Sequence, residues 1–91
     1  MRELTMFYLR NCPYCIRALK YMDELRGEDS RYAQIAVKMI EEQQEKEVAD
    51  KYDYYYVPCY YLDDEKLHEG GIDKDGVRAV LEKALLSGSA T

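Results

Sequence analysis

Cys12 and Cys15 are the residues of this chain best suited to do chemistry. Thiols at this spacing, one helical turn apart, can exchange two protons and two electrons for a disulfide. Between them stand Pro13 and Tyr14. Pro13 suits the first helical position, since its φ is fixed near the helical value and its missing N–H has no intrahelical partner to lose. Cys12 is then the N-cap. Its sulfur lies beside the free N–H groups of Tyr14 and Cys15, at the positive end of the helix dipole. That setting favours the thiolate, which is the form that attacks disulfides. Cys15 is placed to close a ring with Cys12 and release whatever Cys12 has captured. Arg10 adds positive potential nearby, or is a solvated surface arginine.

The same four residues have blander uses. A closed zinc site wants four N or S ligands. The chain offers only Cys12, Cys15, Cys59 and one histidine, His68. A disulfide between Cys12 and Cys15 closes almost no loop, so it restrains little of the unfolded chain. Redox use is the reading that remains, with no metal expected. Cys59 reads as a small buried hydrophobe, and its alternative is a third redox thiol.

The flanking elements must hold this pair. Leu4 to Leu9 is apolar on both faces, as a central strand covered on two sides should be. From Pro13 to about Arg26 an apolar stripe of Ile16, Leu19, Met22 and Leu25, with Ala18 beside them, predicts a helix, with Gly27 as its stop. Tyr32 to Ile40 alternates and predicts an edge strand, parallel to the first. Glu41 to about Tyr52 predicts a surface helix with an acidic first turn. A strand is expected from Val57 to Leu62, with Pro58 as its first residue after a cis bond. Asp63 to Lys66 turns the chain into a short return strand, Leu67 to Glu69, with His68 structural or solvated on its edge. Asp73 is a suitable N-cap for a last helix carrying Val77, Val80, Leu81, Ala84 and Leu85, with Gly88 as its end. The order is β-α-β-α-β-β-α: an α/β, four-stranded mixed sheet with three helices on its two faces.

The bulk properties agree. Ninety-one residues make one domain, read as 1–88 with a frayed tail over 89–91. No apolar run is long enough for a membrane span. The net charge of −5 argues against a nucleic-acid partner, which wants a basic patch. Three cysteines, two of them in C-x-x-C, argue for a reducing cytoplasmic compartment over a secreted disulfide framework. No signal-peptide pattern precedes the first strand. A monomer is expected.

Three motifs make the chain resemble a glutaredoxin, within the thioredoxin fold. They are Cys12-Pro13-Tyr14-Cys15, the Val57-Pro58 pair, and Gly70-Gly71-Ile72-Asp73 before the last helix. The resemblance implies a dithiol–disulfide oxidoreductase in electron transport and cell redox homeostasis. It would reduce protein disulfides or glutathione mixed disulfides, with glutathione as co-substrate and no tightly bound cofactor. Cys12 and Cys15 would be catalytic. Arg10, Pro13, Tyr14, Tyr56, Val57, Pro58, Gly71, Ile72 and Asp73 would bind glutathione or substrate. Val57 would offer its backbone to an added peptide strand, and the Ile72 and Asp73 amides would take a carboxylate.

The sequence also departs from the family. Leu9 stands where many glutaredoxins have lysine, Asp53-Tyr54-Tyr55-Tyr56 replaces a basic residue before Val-Pro, and Lys74 replaces a second aspartate. These departures motivate an alternative, a redoxin recharged by thioredoxin reductase with a reductase as client. An iron–sulfur carrier and a non-catalytic binding domain are more distant readings. Tyr55 is expected to pack the loop and Tyr56 to line a groove.

Overall fold

Leu4, Thr5, Met6 and Phe7 are all buried, so the first strand is covered on both faces, as its composition predicts. In the computed structural model, which describes residues 3–89, that strand is β1 (Leu4–Tyr8). It is followed by α1 (Pro13–Glu28), α2 (Ser30–Ala33), β2 (Val37–Glu41) and α3 (Lys46–Ala49). The chain then forms β3 (Cys59–Leu62), β4 (Glu65–Glu69) and α4 (Lys74–Ser89). The sheet order is β2-β1-β3-β4. β1 pairs parallel with β2 and antiparallel with β3, and β3 pairs antiparallel with β4. The protein is thus a small α/β domain with a four-stranded mixed sheet, and β2 is an edge as expected.

Alternation along the strands splits the core in two. Leu4, Met6, Tyr60 and Leu62 face Ala18, Met22 and Leu25 of α1 and Val77, Leu81 and Ala84 of α4. Phe7, Ile40, Cys59 and Tyr61 face the other way and are covered by Ala49 of α3 and by tyrosines. Phe7 is the hub of that second layer. Tyr54 stacks on its ring at 4.8 Å, Tyr52 lies at 4.7 Å and Tyr61 meets it edge-on at 5.9 Å. Helices therefore lie on both faces of the sheet.

Several elements differ from the sequence reading. Among the described residues there are four helices, not three. The stretch from Tyr32 does not enter a strand at once, because the Asp29 carboxylate caps a helical turn by accepting the Arg31 N–H at 2.9 Å. Tyr32 and Ile35 are buried as neighbours three apart on that turn and its exit, not as alternating strand residues. Helix α1 runs through Gly27, and its cap is the Asp29 N–H bonded to the Leu25 carbonyl. Ile16 lies off the apolar stripe and is exposed, and Cys15 joins Ala18, Met22 and Leu25 in the core instead.

The helix expected over Glu41–Tyr52 shrinks to α3. Glu41 stays in β2, and its carboxylate bends the chain by accepting the Gln43 and Gln44 amides. β3 begins at Cys59 rather than Val57, and the hairpin turn is only Asp63-Asp64, with Asp63 in the left-handed region at φ 52°. Helix α4 passes Gly88 and takes in Ser89. Residues 90 and 91 of the expected tail lie outside the described residues.

Phe7→Ala removes a fully buried ring from the centre of the tyrosine layer. It should lower unfolding stability by about 3–5 kcal/mol, read as a lower urea midpoint at unchanged slope.

Candidate active site

Strand pairing brings the chemistry-bearing segments to one edge of the sheet. β1 ends at Tyr8, opposite Glu41 at the end of β2. Phe7 pairs with Cys59, and Cys59 pairs with Glu69. The loop to Cys12, the Val57-Pro58 segment before β3 and the Gly70-Gly71 segment after β4 therefore leave the sheet together.

Leu9 fixes both cysteines through its backbone. Its carbonyl accepts the Cys12 N–H at 3.2 Å, and its N–H donates to Cys15 Sγ at 3.5 Å. The next amide, Arg10 N–H, donates to the Glu41 carboxylate at 3.1 Å. Glu41 is buried, and the Arg10, Gln43 and Gln44 amides hold its carboxyl below the usual range against the pull of burial. A cavity of about 230 Å³ lies here, lined by Leu9, Arg10, Asn11, Cys12, Glu41 and Gln43. Sequence reasoning missed Glu41 as a site residue. Its signal, an acid at the end of a strand, resembles the acidic first turn of a helix.

Cys12 is the N-cap of α1 with extended backbone, and Pro13 is at the first helical position, as expected. The Cys12 thiol is half-buried and Cys15 fully buried. Burial pushes Cys12 up, but the Cys15 amide, the Cys15 thiol and the Tyr14 amide together outweigh it, and its pKa falls below the ordinary thiol value. The sulfur makes no capping hydrogen bond of regular geometry, so the amides act through proximity. Cys15 goes the other way: burial, the charge of Cys12 and that of Glu42 push it up to about 12 despite the Leu9 N–H. Both thiols feel Glu42, a half-buried carboxylate that accepts the Tyr54 hydroxyl at 2.6 Å.

Of the expected binding residues, Tyr14 lies against Gly71 and Tyr56 beside Gly70, in segments that leave the sheet at the same end as the cysteine loop. The Val57–Pro58 bond is cis, and Pro58 is buried with its carbonyl accepting the Gly70 N–H at 2.9 Å. Gly70 sits at φ 93°, which favours glycine, and a Cβ there would lie 3.7 Å from Tyr56 Cβ. A Cβ on Gly71 would come within 3.3 Å of the Tyr14 ring, so glycine lets Tyr14 lie against the backbone. Tyr14 is exposed, with the Arg17 guanidinium 5.3 Å above its ring. Asp73 caps α4 by accepting the Gly76 N–H at 2.7 Å, as expected, so its carboxylate is committed. The Ile72 side chain packs back on Gly76. Arg10 is exposed at the cavity mouth. His68 is structural: its Nε2 donates to the Gly71 carbonyl at 2.8 Å.

One departure from expectation concerns the loop before Pro58. Tyr55 does not pack the loop and is 85% exposed. The cause is Glu69, whose carboxylate accepts the Tyr55 and Tyr56 amides and ion-pairs with Lys66, and whose pKa falls to about 2, chiefly through Lys66. Lys74 ties α4 to α1 through Glu24 and Glu28 at 3.2 and 2.6 Å. Cys59 is fully buried in the tyrosine layer, and burial pushes its thiol up to about 12. Among the described residues no cluster of three or more His, Cys, Asp or Glu is arranged to hold a metal ion. No described helix is long and apolar enough to cross a membrane.

No family model matches this chain. No curated protein matches it either. A solved structure described as "Structure of a malarial protein" superposes with a TM-score of 0.66 at 16% identity, covering 90% of this chain and 94% of that one. At that identity the likeness bears on the fold alone.

Alkylation of the reduced protein should show one fast thiol, Cys12, with a midpoint below that of a free thiol, while Cys59 labels only in denaturant. Cys15→Ala removes a donor to the Cys12 thiolate and should raise the midpoint. Glu42→Gln removes an opposing charge and should lower it. A midpoint unmoved by either change would contradict the electrostatics described.

Proposed function

We propose that this chain is a dithiol–disulfide oxidoreductase of the glutaredoxin class, in a thioredoxin-like fold, working in a reducing cytoplasmic setting. One observation carries the reading. Two thiols one turn apart are driven in opposite directions, Cys12 towards its anion and Cys15 towards its neutral form. An attacking thiol and a resolving thiol need that division. The mixed sheet with helices on both faces, the cis bond before β3 and the glycine pair before α4 support the fold assignment.

In the first step the Cys12 thiolate attacks one sulfur of a substrate disulfide. The substrate S–S bond breaks, a new S–S bond forms to Cys12, and the other substrate sulfur leaves as a thiolate that takes a proton from water. Cys15 then loses its proton to solvent and attacks the Cys12 sulfur. The substrate's remaining sulfur leaves as a thiolate that takes a proton from water. The protein ends as a Cys12–Cys15 disulfide, having passed two electrons to the substrate. The Leu9 N–H bonded to Cys15 favours the charge that develops in this second step. A reductant, glutathione or a thioredoxin reductase, must restore the dithiol.

Substrate-binding roles are proposed for Arg10, Pro13, Tyr14, Tyr56, Val57, Pro58, Gly71, Ile72 and Asp73. The Val57 N–H and C=O make no hydrogen bond among the described residues and lie beside the cysteine loop, which suits pairing with an extended peptide. The Ile72 and Asp73 amides are likewise unpaired, at the start of a long helix, which suits a carboxylate such as that of glutathione.

The second reading, recharging by thioredoxin reductase, is favoured by Leu9 and Lys74. Leu9 brings no charge to the site, and the Lys74 ammonium is held by Glu24 and Glu28. Disulfide reduction driven by glutathione and by thioredoxin reductase, measured side by side, decides the donor. Cys12→Ser should abolish turnover with either donor, while Cys15→Ser keeps only reduction of glutathione mixed disulfides. Full activity in Cys12→Ser would overturn the mechanism.

A further inference from the structure

Glu42 is a charge beside the dithiol that the exchange steps leave unused. It follows β2 directly and is half-buried. Among the described residues no cation pairs with it. Its partner is instead a neutral hydroxyl, that of Tyr54, which donates to the carboxylate at 2.6 Å. Burial and then this hydrogen bond push the Tyr54 pKa up, so the hydroxyl stays a donor. The Tyr54 ring is held in turn by stacking on Phe7 at 4.8 Å, and Phe7 pairs with Cys59.

Backbone bonds fix where Glu42 stands relative to the dithiol. The peptide group joining Tyr8 to Leu9 accepts the Glu42 N–H on its carbonyl at 3.0 Å and donates its own N–H to the Cys15 sulfur at 3.5 Å. Glu42 and Cys15 therefore bind opposite ends of one peptide group. Glu41, the residue before, is buried and its carboxylate is locked by the Arg10, Gln43 and Gln44 amides, which leaves the backbone at Glu42 little freedom. Over so short a span protein screens a charge poorly. Beside burial, the Glu42 charge works against the anions of Cys12, Cys15 and Cys59 alike.

The other charged and titratable groups around the site are engaged elsewhere. Arg10, exposed at the mouth of the Cys12 cavity, acts on Glu41. Arg17 lies over the exposed Tyr14 ring. Tyr60 is buried with its hydroxyl on Met22 Sδ at 3.3 Å. Asp50 acts on Tyr54, and Glu69 and Lys66 act on Cys59. On the α4 side Asp73 caps its helix, and Lys74 is held by Glu24 and Glu28.

We propose that the Tyr54–Glu42 pair tilts this site from dithiol towards disulfide, and so makes the protein a stronger electron donor than its two thiols alone would be. The inference rests on the oxidoreductase reading above and assigns its direction. Above the Cys12 midpoint the reduced site carries a thiolate, whereas the disulfide carries no charge. A carboxylate held nearby raises the free energy of the first and not of the second. Below the midpoint both forms are neutral, and Glu42 scarcely distinguishes them. Glu42 and Tyr54 touch no reacting atom and are positioning residues.

Glutathione redox buffers test this. The dithiol gives two electrons and two protons to glutathione disulfide, and the products are the Cys12–Cys15 disulfide and two molecules of glutathione. The equilibrium constant is read from about pH 6 to about pH 9, at fixed ionic strength, by acid quenching and counting alkylated thiols in denaturant. Glu42→Gln keeps the shape and an acceptor for Tyr54 but removes the charge. Wild type should favour the disulfide about three- to ten-fold more than Glu42→Gln at the alkaline end, and the two should converge at the acid end. Tyr54→Phe releases the carboxylate into water. It should move the wild-type constant in the same direction and add nothing in the Glu42→Gln background. Glu47→Gln removes the same charge from an exposed position on α3 and should match wild type.

Equal constants for wild type and Glu42→Gln at every pH, a difference that does not change with pH, or an equal shift by Tyr54→Phe in both backgrounds would overturn this inference and leave the exchange chemistry standing. A wild-type protein that forms no Cys12–Cys15 disulfide in any of these buffers would overturn the oxidoreductase reading as well.

Discussion

The site is hung from the backbone of one residue, Leu9. Its N–H reaches the Cys15 sulfur and its carbonyl takes the Cys12 amide, so one peptide segment at the end of the central strand positions both thiols. The preceding carbonyl, of Tyr8, accepts the Glu42 N–H, and the following amide, of Arg10, donates to Glu41. Three successive residues are thus tied to β2 on one side and to α1 on the other. Because the ties run through backbone atoms, the side chains at 9 and 10 are free to vary without moving the cysteines. Leu9 therefore brings no charge to the site, while its backbone alone sets the geometry of the pair.

Depth from the surface then assigns the three thiols their characters. Cys12 is at the helix start, half-buried, with amides near enough to favour its anion. Cys15 is one turn inward, where burial outweighs the single N–H that reaches it. Cys59 is behind the sheet among tyrosines, where no donor offsets burial. One chemical group takes three roles through solvation and a few hydrogen bonds. Cys59 shares a strand face with Tyr61 and packs in the Phe7 layer, so it behaves as the small apolar residue its setting requires.

The sequence made legible whatever depends on local or periodic constraints. Continuous burial marked β1, proline and the apolar stripe marked α1, and the spacing of Val77, Leu81 and Ala84 marked α4. The cysteine pair and its cap position followed from Pro13 alone. What escaped were bonds between a side chain and a distant backbone. Glu41 meets an amide thirty-one residues away and Glu69 one fourteen away, and no local pattern encodes either partner. Short turns escaped for a related reason. Tyr32 and Ile35 fit an alternating strand as well as a helical turn, and only the Asp29 cap decides between them.

The run Tyr54-Tyr55-Tyr56 shows why composition could not place these side chains. The same residue occurs three times in a row, yet Tyr54 turns in and its two neighbours turn out. Tyr54 stacks on Phe7 and gives its hydroxyl to Glu42, so both its apolar body and its polar tip are satisfied. Once it is fixed, the next amides point at Glu69, and that carboxylate can hold them only if the chain leaves the sheet edge. Tyr55 and Tyr56 are then displayed by the backbone, both largely exposed. A loop built this way keeps an apolar surface in water without collapsing onto it, because the amides beneath are already bonded. Its shape depends on Glu69, and its chemistry depends on the tyrosines. Changes to the rings can therefore alter this surface while the carboxylate keeps the backbone of the loop in place.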